Sequence, residues 1–245
     1  MLQSWTFPQD SSGVTWVTQA WTLSVELFFY LTFPALFFVV KRCSLRTATA
    51  VAAVMACLII AFGLSSITPG YHGAAVLPGG VNLPLPVLRT AEFVFGIMLC
   101  RIRLLYPTAP KMISGSVAGL VLTVLIGVGL MFAKDVHSKA VITVLLGLLI
   151  FHLSYETGVV SAFLSGKTVV LLGCASYAMY LLQGPVRAWC ETLIKHPFDK
   201  FASPIIVIGG AIVVFLYYEQ PARKFILTTY RSIAGKKPAP RAAVE

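Results

Sequence analysis

The feature that most constrains this chain is the recurrence of apolar stretches about 20 residues long. A helix needs about 20 apolar residues to cross the hydrocarbon core of a bilayer. Seven such stretches alternate with short polar segments, at residues 21–40, 45–67, 87–105, 113–133, 140–155, 169–189 and 204–218. The pattern predicts an all-α fold, namely a polytopic membrane helical bundle with about seven transmembrane helices.

The composition argues against an ordinary soluble domain. Only 11% of the residues are charged and 58% are hydrophobic, whereas soluble domains carry about 25% charged residues. A formal net charge of +10 would suggest nucleic acid binding in a soluble protein. Here the basic residues lie in short segments between apolar stretches, so membrane topology accounts for them and no nucleic-acid partner is expected.

The five cysteines lie mostly within or beside apolar stretches, and no two of them form a CxxC pair. This spacing supports neither a metal site nor a disulfide framework. We therefore interpret the cysteines as small apolar side chains, and we expect no bound metal.

Lysine and arginine are distributed unevenly between alternate loops, which predicts the orientation. If the loop after the first span is cytoplasmic, alternation places the other basic segments on the same side. These residues are Lys41, Arg42, Arg46, Arg101, Arg103, Lys111, Arg223, Lys224, Arg231, Lys236, Lys237 and Arg241. The loop at 68–86 has no lysine or arginine and falls outside. We expect a multi-pass cell-membrane protein with its N-terminus outside and its C-terminus cytoplasmic.

The first span contains a carboxyl group about two turns below the predicted outer surface. Thr22, Glu26 and Tyr30 are four residues apart and therefore share one helix face. A carboxylate within the bilayer is unfavourable by roughly 3 kcal/mol, so Glu26 should face the protein interior or a wet cavity. A structural glutamate that binds a neighbouring helix is the alternative interpretation.

Two other groups of polar residues fall within predicted spans. Arg89 and Glu92 are one turn apart near the outer end of the third span, so they can pair with each other. They form either part of a site or a purely structural ion pair. A stripe on the sixth span can bond to neighbouring helices, with a glycine that permits close helix approach. It contains Gly173, Ser176, Tyr180, Gln183 and Arg187, and interhelical packing is its alternative role.

The string AWTLSVELFFYLTFPAL, at residues 20–36, resembles the W-S-L-S-V-E-x-x-F-Y-x-x-x-P pattern of the acyltransferase-3 family. Residues 88–96 resemble the family's R-x-x-E-F-x-x-G segment. Residues 172–185 resemble its L-G-x-x-S-Y-x-x-Y-L-x-H-x-P segment, with Gln183 at the histidine position. Residues 219–224 resemble its terminal E-x-P-x-R. The four motifs occur in the family's order.

The resemblance implies the last seven helices of a ten-helix fold. The family's early arginine and histidine helices have no counterpart here, so the chain is expected to be an N-terminally truncated member. The implied domain organisation is an extracytoplasmic loop remnant at 1–20, a transmembrane acyltransferase-3-like domain at 21–226 and a disordered cytoplasmic basic tail at 227–245.

The resemblance also implies an activity, the transfer of an acyl group from acyl-CoA to a carbohydrate hydroxyl. The acyl group is expected to be acetyl and the acceptor a carbohydrate or lipid-linked sugar, with membrane lipid as a further partner and no bound cofactor. The family's catalytic histidine belongs to the missing helices. The expected site residues here are Glu26 and Glu92 as catalytic residues, and Trp21, Tyr30, Arg89, Tyr180 and Gln183 as substrate-binding residues.

Two other functions remain open from the sequence. The chain can be an inactive remnant or a partner subunit of such an enzyme. It can also be a small multi-pass transporter in which Glu26, Arg89 and Glu92 line an ion path. Inverted repeats are typical of many transporters, and the sequence shows none.

Overall fold

The structure is a computed structural model that describes residues 21–64, 74–77, 81–108, 116–132, 136–155, 158–193 and 198–233. Its contacts divide the chain into two compact units, Met1–Ser165 and Gly166–Glu245.

The described residues form nine α-helices, one β-hairpin and one π-helical turn. In chain order they are α1 Trp21–Val40, α2 Leu45–Leu64, β1 Ala74–Leu77, β2 Val81–Pro84, α3 Leu85–Leu105, α4 Ser116–Phe132, α5 Val136–Leu153, α6 Val159–Leu164, α7 Lys167–Leu193, α8 Asp199–Val214, the π-turn Phe215–Glu219 and α9 Gln220–Ile233. The two strands pair antiparallel.

The helices confirm the prediction of an all-α membrane bundle. Within the described residues, four helical stretches are long and apolar enough to cross a membrane: Thr22–Val40, Leu45–Gly63, Lys167–Leu193 and Lys200–Ile233. Two further apolar helices, Val117–Phe132 and Lys139–Leu153, are shorter. The remaining predicted span is α3, which is 21 residues long and carries four charged side chains. Each of the seven predicted spans therefore corresponds to a helix.

The core of the first unit lies where α2 packs against α3 and α5. Small side chains on α2, such as Ala48 and Ala52, are buried beside Phe95 and Met98 of α3. Gly147 of α5 faces the ring of Phe95 so closely that an added Cβ would lie 2.6 Å from Cε1. Small residues on one helix thus make room for large ones on the next, which fixes the spacing of the three helices.

At one end of the first unit, two arginines of α3 reach the backbone just beyond the ends of α1 and α5. Near the end of α3, the Arg101 guanidinium donates to the backbone oxygen of Lys41 at 2.8 Å, just beyond α1. Arg103 donates to the backbone oxygen of Ser154, just beyond α5, at 3.2 Å. Its guanidinium also lies 4.2 Å from the ring centroid of Tyr155. We call this end of the unit the basic end.

In the second unit, α7 and α8 pack through alanines. Ala175 and Ala178 of α7 are buried against Ala211 and Phe215, at the end of α8 and the start of the π-turn. The predicted close approach at Gly173 does not occur among the described residues, because no atom of a neighbouring element lies within 4 Å of the place a Cβ would occupy. Alanine supplies the same small cross-section without the conformational freedom of glycine.

The structure also differs from the predictions at three places. The predicted outer loop at 68–86 contains the hairpin of β1 and β2. The short helix α6 lies between the fifth and sixth predicted spans. The last helix continues through Ile233, so residues 227–233 are helical although we expected them in the tail. Ile226, Tyr230 and Ile233 recur at helical spacing, which favours a helix over a disordered chain. Residues 234–245 and the loop remnant at 1–20 lie outside the described residues.

Candidate functional site

Helices α1 and α3 are held together by an aromatic cluster. The ring of Phe29 stacks on the ring of Phe93 with centroids 4.3 Å apart and planes 4° from parallel. Phe33 meets the same ring edge-on at 6.3 Å. Eight residues beyond Phe93, Arg101 reaches the backbone of Lys41, past the end of α1. From the first contact to the second, the residue number increases on both helices. Helices α1 and α3 therefore run parallel to each other.

The parallel arrangement brings Glu26 and Arg89 to nearly the same level. Glu26 precedes Phe29 by three residues and Arg89 precedes Phe93 by four. At 1.5 Å rise per residue, these two side chains start about 4.5 and 6 Å above the stacked rings, on the side away from the basic end. Residues three and four apart share a helix face, so both lie on the faces where α1 meets α3. Glu92 lies one turn below Arg89. We call Glu26, Arg89 and Glu92 the charged level.

Within the charged level, Arg89 Nη1 donates to Glu92 Oε1 and forms an ion pair. The two side chains are 42% and 32% exposed, so the pair is accessible from outside the unit. Both predicted roles, a structural pair and part of a site, remain compatible with this geometry. The pair itself is the contact that the sequence predicted.

Unlike Arg89 and Glu92, Glu26 forms no ion pair among the described residues. Within the described part of the chain, it makes no hydrogen bond or ion pair. The side chain is half-buried. Glu26 is therefore an accessible carboxylate, the one charged side chain of α1, at nearly the same level as Arg89.

The other members of the α1 face are arranged differently. Tyr30 lies one turn below Glu26. Its side chain is 72% exposed, so it does not enclose a binding pocket beside Glu26. Trp21 is the first residue of α1, and its side chain lies outside the described residues. Ser24 is buried and does have a partner. We did not predict Ser24 as a site residue, although it belongs to the motif that identified this helix.

The predicted stripe on α7 lies in the second unit. Ser176 donates from Oγ to the backbone oxygen of Gly173 at 2.7 Å, and Arg187 pairs with Glu191 on the same helix at 2.8 Å. Tyr180 is half-buried and Gln183 is exposed. The Ser176 bond and the Arg187–Glu191 pair both stay within α7. Tyr180 and Gln183 remain predicted substrate-binding residues.

The same unit has an apolar cavity of about 270 Å³ between α7 and α8. It is lined by Pro185, Val186, Trp189, Cys190, Leu193 and Ile206. A carbohydrate requires hydrogen-bonding partners along its hydroxyls, and this lining offers hydrocarbon instead. The cavity is therefore a poor sugar site. No group of three or more His, Cys, Asp or Glu residues that suits a metal ion occurs among the described residues.

The outer faces of these helices are apolar, and they define the class of protein. Large exposed side chains such as Leu31, Phe38 and Met131 cover surfaces that water would not favour and lipid would. Taken together, the four long apolar helices and the apolar outer faces define a multi-pass membrane protein.

The family follows from sequence comparison. A family model described as an acyltransferase domain matches residues 2–218. The chain therefore belongs to the acyltransferase-3 family, as its four motifs predicted. No curated protein and no solved structure gave a significant match. Family membership favours an acyltransferase over the transporter alternative.

Proposed function

We propose that this chain acts as a membrane-bound O-acyltransferase that moves an acetyl group from acetyl-CoA to a carbohydrate hydroxyl. In this reaction the C–S bond of the thioester breaks and a C–O ester bond forms. The acceptor hydroxyl loses its proton, and the departing thiolate of CoA takes one up. The family match supports the acyl transfer, while the acetyl group and the sugar acceptor rest on the motif resemblance.

The observation on which the proposal rests is the carboxylate of Glu26, which no described residue pairs with, close to the Arg89–Glu92 pair along the helices. A charge within the hydrocarbon core is unfavourable by roughly 3 kcal/mol unless it is hydrated or paired. A carboxylate that no described residue satisfies is therefore suited to a polar ligand. A sugar hydroxyl provides the donor that such a carboxylate accepts.

In the proposed mechanism Glu26 acts on the acceptor hydroxyl. Its carboxylate accepts the hydrogen bond from the hydroxyl and takes the proton as the new C–O bond forms. A positioned general base typically contributes about 10²–10⁴-fold to the rate. Arg89 carries N–H donors for the oxyanion that develops on the acyl carbonyl, and Glu92 orients the Arg89 guanidinium through their ion pair.

The order of the Arg89–Glu92 pair along the helix supports a functional role. Pairs in which the acidic residue precedes the basic one stabilise a helix better, because they agree with the helix dipole. Here arginine precedes glutamate near the start of α3. A pair selected only to stabilise the helix would favour the opposite order.

The orientation is part of the same proposal. With the basic end in the cytoplasm, the N-terminus lies outside and Glu26 lies in the outer half of the bilayer. Fourteen residues separate Glu26 from Val40 at the end of α1, which is about 21 Å of helix against about 30 Å of hydrocarbon. The gathering of Arg101 and Arg103 with the ends of α1 and α5 supports this side for the cytoplasm.

Membranes that contain the chain test the proposed activity directly. They are incubated with acetyl-labelled acetyl-CoA and lipid-linked or polymeric carbohydrate, and label released from the carbohydrate by mild alkali is counted. We expect ester-linked label above that of membranes lacking the chain. The same assay on the chain fused behind the first helices of a complete relative distinguishes an inactive remnant from a chain that never acts on sugars. Absence of label in both forms would contradict the proposal.

A further inference from the structure

The last helix, α9, has an exposed apolar stripe, and among the described residues α9 has substantial contact with the π-turn alone. Ala222, Phe225, Ile226, Tyr230 and Ile233 lie within an arc of about 140° of the helix at 100° per residue. None of the residues of α9 is buried, and Phe225 and Ile233 are 73% and 80% exposed. The element with which α9 has substantial contact is the π-turn that precedes it.

The helical stretch that ends with α9 is longer than a membrane span requires, and the apolar stripe lies in the part beyond that length. Helical structure continues from Lys200 to Ile233 over 34 residues, about 51 Å, whereas the hydrocarbon core is about 30 Å thick. Helix α8 and the π-turn, Asp199 to Glu219, already cover about 30 Å. Helix α8 and the π-turn are therefore long enough to cross the hydrocarbon core, and α9 extends beyond it.

The π-turn has features of a membrane boundary. Tyr217 and Tyr218 are exposed there, and tyrosines are enriched where the hydrocarbon meets the headgroups. Phe215, at its start, is buried against the alanines of α7 and fixes the turn to the unit. Interruptions of this type are a recognised cause of helix bends. The chain can change direction between Phe215 and the start of α9.

The charges of α9 match an anionic surface. The helix has three basic residues, Arg223, Lys224 and Arg231. No acidic residue occurs from Gln220 to Ile233. Lys224 and Arg231 lie on the side of the helix opposite the apolar stripe. A strong apolar face combined with a basic polar face is typical of helices that lie in the membrane interface.

We infer that α9 bends away from the span at the π-turn and lies along the membrane surface, bound to anionic lipid headgroups. Its apolar stripe enters the boundary between headgroups and acyl chains. Its three basic side chains interact with phosphate groups of the leaflet. The partner is a lipid surface, and this role is independent of the proposed acyl transfer.

Spin-label scanning of α9 in the full chain tests the inference. Single cysteines are introduced from Arg223 to Ile233 in a variant whose five native cysteines are replaced by alanine. Nitroxide accessibility to oxygen and to a water-soluble nickel reagent is measured in bilayers with and without phosphatidylglycerol. We expect oxygen accessibility to peak at Phe225, Ile226 and Ile233 with a 3.6-residue period in the anionic bilayer. Uniform access to nickel along the helix would overturn the inference.

The contribution of charge is tested by variants. Replacing Arg223, Lys224 and Arg231 by glutamine should reduce the burial of a label at 226 several-fold in anionic bilayers. Phe225→Ser should do the same, whereas Leu227→Ser, on the polar side, is the matched control. Equal burial in zwitterionic and anionic bilayers, unchanged by the glutamine variant, would contradict lipid-charge recognition. Dipolar coupling between labels at 226 of two copies would show that a second chain covers the stripe instead.

A measurement on the unmodified chain covers the case in which the cysteine-free variant does not fold. Hydrogen exchange is followed in nanodiscs of the two lipid compositions. Amides of residues 220–233 should exchange roughly tenfold more slowly in the anionic discs, because adsorption suppresses fraying. Equal exchange in the two compositions would contradict the inference.

Discussion

At the scale of single residues, the candidate functional site is defined by three charged side chains. The aromatic contact of Phe29 with Phe93 brings Glu26 and Arg89 to nearly the same level, and Glu92 lies one turn further along α3. The sequence predicted each of the three residues, and it predicted the Arg89–Glu92 pair from their spacing. It did not predict the aromatic stacking that aligns the two helices, because the contact joins residues 64 positions apart and no local pattern records it.

Exchange of the two paired charges tests whether the pair serves more than structure. Arg89→Gln leaves Glu92 without a partner and should lower both accumulation and acyl transfer. The double exchange Arg89→Glu with Glu92→Arg restores an ion pair, so accumulation should recover towards the wild-type level. Acyl transfer should stay at least about tenfold reduced, because the guanidinium has moved.

Accumulation is measured from the monodisperse peak in mild detergent, and transfer from alkali-labile label. Arg187→Glu with Glu191→Arg exchanges an exposed pair on α7 and serves as the matched control. Recovery of both accumulation and transfer in the 89/92 double variant would assign that pair a structural role alone.

At the scale of the elements, hydrophobic periodicity predicted where the helices lie, and small residues decide how closely they pack. The first span was predicted to the residue, Trp21–Val40. The hairpin was missed, although Pro78-Gly79-Gly80 between two short apolar runs is a hairpin signal in the sequence. Close packing was predicted at Gly173, whereas the structure has it at Ala175, Ala178 and Gly147. Helix spacing depends on partners that a single sequence does not identify.

Two glycine substitutions test the packing of α3 against α5. In Gly147→Ala the new methyl group would meet the ring of Phe95, which is buried and has little room to move. We expect a loss of about 1–3 kcal/mol in the free energy of unfolding, typical of an overpacked core.

In Gly127→Ala no neighbouring atom lies within 4 Å of the added Cβ. Alanine improves helix propensity by up to about 1 kcal/mol, so this control should be neutral or stabilising. Thermal unfolding midpoints in one detergent measure both variants. Equal midpoints for the two would show that α3 and α5 pack differently from the structure.

At the scale of the whole molecule, the chain is a membrane-spanning member of the acyltransferase-3 family. Class and family were predictable from the sequence because apolar stretch length and four ordered motifs are both local features. The orientation across the membrane is a proposal from the distribution of lysine and arginine. The arrangement of Arg101 with the end of α1 supports it, because it places basic residues of separate loops at one end of the first unit.

Reporter fusions test the orientation. A reporter after Glu245 should be active as a cytoplasmic protein, and one inserted at Gly79, which lies outside the described residues, should be active outside. The physical reason is that lysines and arginines of short loops are retained on the cytoplasmic side. Paired reporters of opposite compartment preference provide the measurement. Both sites on one side would contradict the proposed topology.

The central claim is that Glu26 is part of the working site, and acyl transfer by Glu26→Gln tests it most directly. Glutamine keeps the volume and hydrogen-bonding capacity of the side chain but cannot take a proton. We therefore expect wild-type accumulation and a loss of transfer of about 10²–10⁴-fold.

The variant is measured in whichever form of the wild-type chain shows transfer, alone or behind the first helices of a complete relative. Glu191→Gln, an exposed carboxylate on α7, is the control and should transfer at the wild-type rate. Alkali-labile label on the carbohydrate, normalised to folded protein, is the quantity compared. A Glu26→Gln variant that accumulates normally and transfers at the wild-type rate would contradict the account.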